Sequence, residues 1–386
     1  MNELSLELPD GSNLNGVADY IQDIFCIDLP YAPGMVFVGA QFQPAKGMEA
    51  ISAGAADIDP QRALERCFGE IAETLSQYTA FKLDSTKIQE ILPLATSDDL
   101  SAEFEALGSH LGEDGWVAGL EVLSQAECFI PASLCFRDLK GQSETETAFS
   151  SGFAAGPTLS AAIEAATLEL IERDAVALWW YGGRPPRSIA APFLDQAKLF
   201  QRVIRKGRGD RQTVLLDLST DIEVPVVAAV SANADGGDVA FGYAARRSFS
   251  QAIEAALKEL AQMELGSLLC DLKVQSGKTD RLTPADFKVI KRRQHLSLGS
   301  APFVCAPREC GLKPTDQDAD IDAALQNAGL RRFVVEMTSP QIGVPVARVV
   351  CPQLQPLPVV FASQRLTCAQ TLYNGWSDTV VVCEPI

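Results

Sequence analysis

The sequence predicts a mixed α/β fold (α+β in its layering), in which long helices alternate with strand pairs. Helical periodicity runs through 60–79, 158–181 and 248–270, and again near 319–329. Apolar, β-branched runs at 213–218, 224–231, 332–337 and 344–351 read as strands. Two strand regions also repeat: LDLSTDIEVPVVAAV (216–230) and VEMTSPQIGVPVARV (335–349) share an acidic residue, a hydroxyl pair, a turn and Val-Pro-Val. Pro225 and Pro345 begin the returning strands, where a missing N–H is tolerated. Strand pairs separated by long helices favour a mixed architecture over an all-α or all-β one.

Between these elements, Gly, Ser and charged residues collect at 100–116, 140–150 and 276–300. The most basic stretch, SGKTDRLTPADFKVIKRRQ (276–294), is expected to be a solvated linker or an exposed helix face. The chain has 386 residues, 47% of them hydrophobic, and so can bury one large core or two ordinary ones. Its 50 acidic against 32 basic residues give a formal charge of -18, which repels nucleic acid and anionic membrane. No apolar run reaches the roughly 18 residues of a membrane span. MNELSLELPDGSNLNG lacks the basic start of a signal peptide, so a soluble, cytoplasmic protein is expected. The ten cysteines are scattered without a CxxC pair, which argues against a thiolate zinc site. His110 and His295 stand alone in polar contexts, so histidine chemistry is not expected.

One acidic helix is written three times: RALERCFGEIAE from Arg62, AAIEAATLELIE from Ala161 and QAIEAALKELAQ from Gln251. The ninth and twelfth places lie three residues apart, on one helical face. That sets Glu70 beside Glu73, Glu169 beside Glu172, and Glu259 beside Gln262. Glu164 and Glu169 stand about 140° apart on the wheel, so the middle helix must be flanked on more than one side. A single helix with several Glu residues would be an ordinary wet face. The middle helix, however, is apolar or small on nearly every side, and a carboxylate buried there needs a partner. Two carboxylates about 4 Å apart repel by roughly 4 kcal/mol at an effective dielectric of 20. Arg173 is the main local cation, so Mg²⁺ with a phosphate-bearing ligand answers the charge problem. SSGFAAGPTLS (150–160) offers Gly152, Gly156 and a Thr158/Ser160 helix entry, where main-chain N–H groups favour phosphate. It matches neither the Walker A nor the GxGxxG pattern.

With Ser160-x-x-x-Glu164, Glu169-x-x-x-Arg173, DLSTDIEVPVVAAV and Glu259-x-x-Gln262 in place, the chain from about 45 to about 355 closely resembles the YcaO family. The resemblance implies an N-terminal extension at 1–44 and a YcaO-like catalytic domain at 45–386. In it, pseudo-repeated hairpin and acidic-helix units surround a nucleotide site. It implies ATP and Mg²⁺ as cofactors and a ribosomally made precursor peptide as substrate. A backbone amide oxygen is phosphorylated and leaves as phosphate. A Cys, Ser or Thr side chain then gives an azoline, sulfide a thioamide, and an amine an amidine. By the same resemblance Glu70, Glu73, Glu169, Glu172 and Glu259 hold Mg²⁺. Ser160, Glu164, Glu169, Arg173, Glu259 and Gln262 contact the nucleotide, and Arg173 and Glu172 serve catalysis.

The chain departs from the family pattern at Ala55, Thr74 and Ala255, where relatives often carry a cation. Arg62, Arg66, Arg246 and Arg247 are candidate replacements. It ends VVVCEPI rather than in a Pro-x-Pro-x-Pro tail, and IGVPVARVVCPQLQP is similar to the non-azoline branch. Thioamide formation with a TfuA-like or leader-peptide-binding partner is therefore expected ahead of azoline formation. The amino terminus is too short for its own winged-helix recognition module, and a homodimer is compatible with the pattern. Two other classes compete: a degenerate scaffold or peptide-binding subunit, and an ATP-dependent ligase of small metabolites.

Overall fold

The computed structural model describes residues 15–44, 47–78, 88–89, 115–137, 151–304, 316–359, 361–376 and 383–384. Of the segments expected at 100–116 and 140–150, residues 100–114 and 140–150, with His110, lie outside the described residues. In chain order the elements are α1 (Asn15–Ala18), β1 (Ile21–Asp28), β2 (Val36–Phe42), β3 (Ile51–Asp57) and α2 (Pro60–Ser76). Next come β4 (Ile88–Gln89), β5 (Trp116–Glu121), β6 (Glu127–Pro131), β7 (Phe153–Ala155), α3 (Leu159–Trp180) and α4 (Ala191–Arg205). They are followed by β8 (Arg211–Asp217), β9 (Val226–Asn233), β10 (Ala240–Ala245), α5 (Phe249–Gln275), α6 (Pro284–His295) and α7 (Ala301–Val304). The chain continues with α8 (Ile321–Asn327), β11 (Phe333–Glu336), β12 (Val346–Val350) and α9 (Gln364–Tyr373).

The expected mixed fold is the one observed. Three antiparallel sheets form, ordered β1-β2-β3, β10-β9-β8 and β4-β5-β11-β12-β7, with β6 added on β5. The boundary drawn from the sequence at 44/45 falls between β2 and β3, which pair from Val36–Asp57 to Phe42–Ile51. Each acidic helix follows a strand and starts on a side-chain cap. Asp59 accepts from Gln61 N–H, Thr158 from Ala161 N–H and Ser248 from Gln251 N–H. The helices bury different amounts of themselves. α2 has one apolar face, whereas α3 is buried on almost all sides, as its near-uniform apolarity requires.

Packing fixes the C-terminal end of α3. Trp179 and Trp180 are fully buried against Phe241, Tyr243 and Phe303, with Trp180 edge-on to Phe241 at 5.6 Å. Their indole N–H groups donate to the carbonyls of Pro302 and Cys383, so this apolar burial leaves no polar orphan. Beneath α5, Gly242 allows close approach: a Cβ there would sit 2.3 Å from the Ala256 carbonyl oxygen. The segment expected as a solvated linker or exposed helix face is a largely exposed lead-in and a helix, with a few buried positions. α6 opens on a Thr283/Asp286 capping box and buries Arg292, while Arg293 pairs with Asp238 and Asp271. Its basic side chains are partly consumed by carboxylates distant in sequence. No helix among the described residues is long and apolar enough to cross a membrane.

Candidate functional site

The three acidic helices converge, and they do so by one rule used three times. The ninth-place carboxylate accepts from the strand that precedes its own helix. Gly54 N–H donates to Glu70 at 3.2 Å, Gly152 N–H to Glu169 at 2.8 Å and Tyr243 N–H to Glu259 at 2.9 Å. The twelfth-place side chain reaches the strand of the next unit. Ala155 N–H donates to Glu73 at 2.8 Å and Ala245 N–H to Glu172 at 3.2 Å. Gln262 Nε2 donates to the Gly54 carbonyl at 3.0 Å and closes the ring. The break in the acidic pattern thus has a reason: Gln262 faces an acceptor, and an ionised Glu has no hydrogen to give. Gly152 is held at φ 89°, and a Cβ there would lie 2.4 Å from Val349 O, so the N–H that meets Glu169 requires glycine.

Inside the ring lies a cavity of about 960 Å³ whose walls include Glu65, Glu70, Glu73, Glu164, Glu169, Glu172, Arg173 and Glu259. Ser160 is exposed and outside those walls, and Gln262 acts behind them on Gly54. Glu164 is on the rim but already engaged: Arg247 forks onto both its oxygens at 2.7 and 2.6 Å. That guanidinium holds the Glu164 carboxyl below the usual range. Of the positions lacking an expected cation, Ala55 is fully buried. Thr74 returns its hydroxyl to the Glu70 carbonyl at 2.9 Å.

Burial pushes the carboxyls of Glu70 and Glu259 up to about 7, Glu73 well above its ordinary value, and Glu169 upward as well. Glu70 has the largest solvent-accessible area of these residues. Arg173 sits among them, 3.4 Å from both Glu169 and Glu172. Burial opposes its charge, but the carboxylates of Glu172, Glu169 and Glu259 outweigh burial and hold it protonated. Behind β7, Arg348 lies 4.4 Å over the Phe153 ring and donates to the Ser151 carbonyl, bracing the segment that serves Glu169.

The donor set fits Mg²⁺ accompanied by phosphate. It is all oxygen, and the second oxygens of Glu70, Glu73 and Glu259 accept no hydrogen bond among the described residues. No three His, Cys, Asp or Glu side chains among the described residues gather tightly enough to hold an ion by themselves. Mg²⁺ characteristically takes one or two carboxylates and completes its shell with phosphate oxygens and waters. The functional groups that sequence reasoning missed are mainly the main-chain N–H groups of Gly54, Ala155, Tyr243 and Ala245, which carry no side-chain signature. Pro345, which borders the cavity, was visible through the repeated Val-Pro-Val.

The family model described as YcaO cyclodehydratase, ATP- and Mg²⁺-binding, matches residues 98–355. The chain belongs to the YcaO family. ATP and Mg²⁺, expected from the sequence, are the ligands named in that family description. The fold is shared with solved YcaO-type structures. A heterocyclase in complex with substrate and cofactor aligns at TM-score 0.65 and 20% identity, covering 97% of this chain and 57% of that one. YcaO from Methanopyrus kandleri, bound with AMPPCP and Mg²⁺, aligns at TM-score 0.59 and 16% identity, covering 90% and 92%. The E. coli microcin synthetase McbBCD complex aligns at TM-score 0.57 and 14% identity, covering 83% and 85%. A curated relative, the "Uncharacterized protein in tfuA 3'region" of Rhizobium leguminosarum bv. trifolii, is 35% identical over 121 residues. That match spans 30% of this chain and 28% of the relative's length.

Proposed function

We propose that this chain uses ATP to activate backbone amides of a ribosomally made peptide, and that sulfide then replaces the amide oxygen to give a thioamide. One observation carries the reading: carboxylates from three helices are fixed by main-chain N–H groups around one cavity with Arg173 in their midst. An amide oxygen is a poor leaving group and phosphate a good one. The nucleophile adds at the amide carbon, the oxygen takes the γ-phosphoryl group of ATP, ADP departs, and collapse of the adduct expels phosphate. Glu70, Glu73, Glu169, Glu172 and Glu259 are the residues that would hold Mg²⁺, directly or through water. When bound, Mg²⁺ neutralises charge on the transferring phosphoryl group. Arg173 fixes the carboxylates of Glu169 and Glu172 and offsets part of their charge. Phe153, Leu168, Val344 and Pro345 give part of the cavity wall an apolar lining against which a peptide could lie.

The thioamide outcome, with a TfuA-like partner or a leader-binding subunit, is supported by the sequence likeness to the non-azoline branch and by the relative from a tfuA 3' region. Azoline formation is its nearest competitor. Product mass separates them: a gain of about 16 Da marks oxygen exchanged for sulfur, and a loss of about 18 Da marks cyclodehydration. The expected result is the gain, and only with a second protein present. Efficient water loss by this chain alone overturns both the thioamide and the partner assignments. The scaffold reading draws on the uncharged Ala55, Thr74 and Ala255. It gains if no mass change and no ATP turnover occur with any partner.

Binding gives an independent check. Calorimetric binding of ATP should vanish with a chelator, and Glu169→Ala or Glu259→Ala should weaken it by at least about tenfold, the loss of one charge-assisted contact. Undiminished affinity in both variants would refute the site assignment.

A further inference from the structure

Among the described residues the cavity is walled by seven glutamates and three arginines, Arg66, Arg173 and Arg246. The three cations are not equally available. Arg173 lies 3.4 Å from both Glu169 and Glu172, and Glu259 adds its attraction. Arg173 Nη1 makes no hydrogen bond among the described residues, but the surrounding carboxylates offset its charge and weaken its field toward an incoming anion. Arg66 is half-exposed and spends Nη1 on the Ala56 carbonyl at 3.1 Å and on Asp57 at 3.5 Å. Arg247 is outside the walls and forked onto Glu164.

Arg246 differs. Its guanidinium makes one hydrogen bond among the described residues, Nη1 to its neighbour's carbonyl, Ala245 O, at 2.6 Å. It forms no ion pair with a carboxylate within 4 Å there, and its pull on Glu259 is the weakest of the influences on that carboxyl. Since a guanidinium carries five N–H donors, most remain unspent. Its backbone is nonetheless fixed. Arg246 N–H donates to Pro225 O at 3.1 Å. The preceding residue, Ala245, holds Glu172, and Tyr243 on the same strand holds Glu259. A rigid strand end therefore presents an uncommitted fork at the wall between α3 and α5.

We infer that Arg246 is the specificity-determining residue that grips the terminal phosphates of the nucleotide, while Arg173 serves the carboxylates. The inference rests on the nucleotide reading of the cavity and adds a division of labour between its two arginines. It predicts phosphate-selective effects. Arg246→Ala should lower calorimetric affinity for ATP, measured in MgCl₂, by about 10- to 100-fold, the range of a charge-assisted bidentate contact. Adenosine affinity should not change, and ADP should lose less than ATP. Arg246→Lys should recover only part of the loss, because it keeps the charge without the planar fork. Arg208→Ala, at an exposed residue outside the cavity, is the control and should bind like the wild type.

Melting curves accompany each variant, and Arg246→Gln substitutes if the alanine variant is not folded. Unchanged ATP affinity in a folded Arg246 variant overturns the inference. Equal losses for ATP and adenosine overturn it too, because they mean that Arg246 only shapes the wall. Failure of the wild type to bind ATP is a different result, which removes the nucleotide reading itself and the inference with it.

Discussion

Replacing Arg365 with Met lowers the stability of the folded chain by about 3–5 kcal/mol, the usual cost of stranding one member of a buried ion pair. The reason lies one residue beyond Arg173. Asp174 is fully buried on α3, and Arg365 of α9 meets it with Nε at 3.0 Å and Nη2 at 2.9 Å. Gln355 N–H adds a third donor at 2.9 Å. Burial pushes the Asp174 carboxyl upward, and Arg365 pulls it back. Without that guanidinium it rises further, so the native state binds a proton that the unfolded state does not. Stability then falls as pH rises between the unfolded and folded pKa values, and the deficit is smaller at pH 5 than at pH 8. Denaturant midpoints at the two pH values measure this, and adding Asp174→Asn should return part of the loss because an amide needs no counter-charge. Asp221→Asn tests the other arm of Arg365. Asp221 is 64% exposed in its side chain, so that change should cost below about 1 kcal/mol. Wild-type stability in Arg365→Met would mean that Asp174 is satisfied without its cation.

That pair also shows what could be read from the chain and what could not. The acidic helices were legible because they break a pattern: carboxylates recur inside segments that are otherwise apolar, and only a shared ligand or shared donors excuse them. Strands β8, β9, β11 and β12 were legible from β-branched runs and the repeated Val-Pro-Val. The ring that joins the helices was not, since it runs through main-chain N–H groups at Gly54, Ala155, Tyr243 and Ala245. Glu164 and Arg247 are too far apart in sequence for any local rule to pair them, and so are Asp174 and Arg365. In the basic segment around α6 the exposed helix face was legible, but the partners of its individual cations were not. Arg293 reads as solvated until Asp238 and Asp271 are brought beside it by the fold. Ser160 carried a family motif, yet the helix turns it outward to solvent, while its partner in the motif, Glu164, faces the rim.

The metal-free protein should lose stability as pH rises from about 5 to about 8, and Mg²⁺ with ATP should reverse that slope. Glu259 has its carboxyl pushed up to about 7 by burial, with Glu172 adding repulsion. Its ordinary value is near 4.5, so between 4.5 and 7 the native state holds a proton that the unfolded chain has released. Linkage then gives a negative slope of stability with pH in that window. A tenfold difference in proton affinity between folded and unfolded chain corresponds to about 1.4 kcal/mol, so Glu259 contributes on the order of 3 kcal/mol. Glu70 is raised in the same direction, but its exposure weakens its share. Mg²⁺ prefers the ionised carboxylates, so binding must release protons and strengthen as pH rises through 7. The rise in melting temperature on adding Mg²⁺ and ATP should accordingly be larger at pH 8 than at pH 6, and larger than the rise from NaCl of equal ionic strength. Glu259→Gln should flatten the metal-free slope and weaken the response to Mg²⁺. Matching responses to NaCl and to Mg²⁺–ATP would mean that the carboxylates are merely solvated, and that the ring of N–H donors around them serves the fold alone.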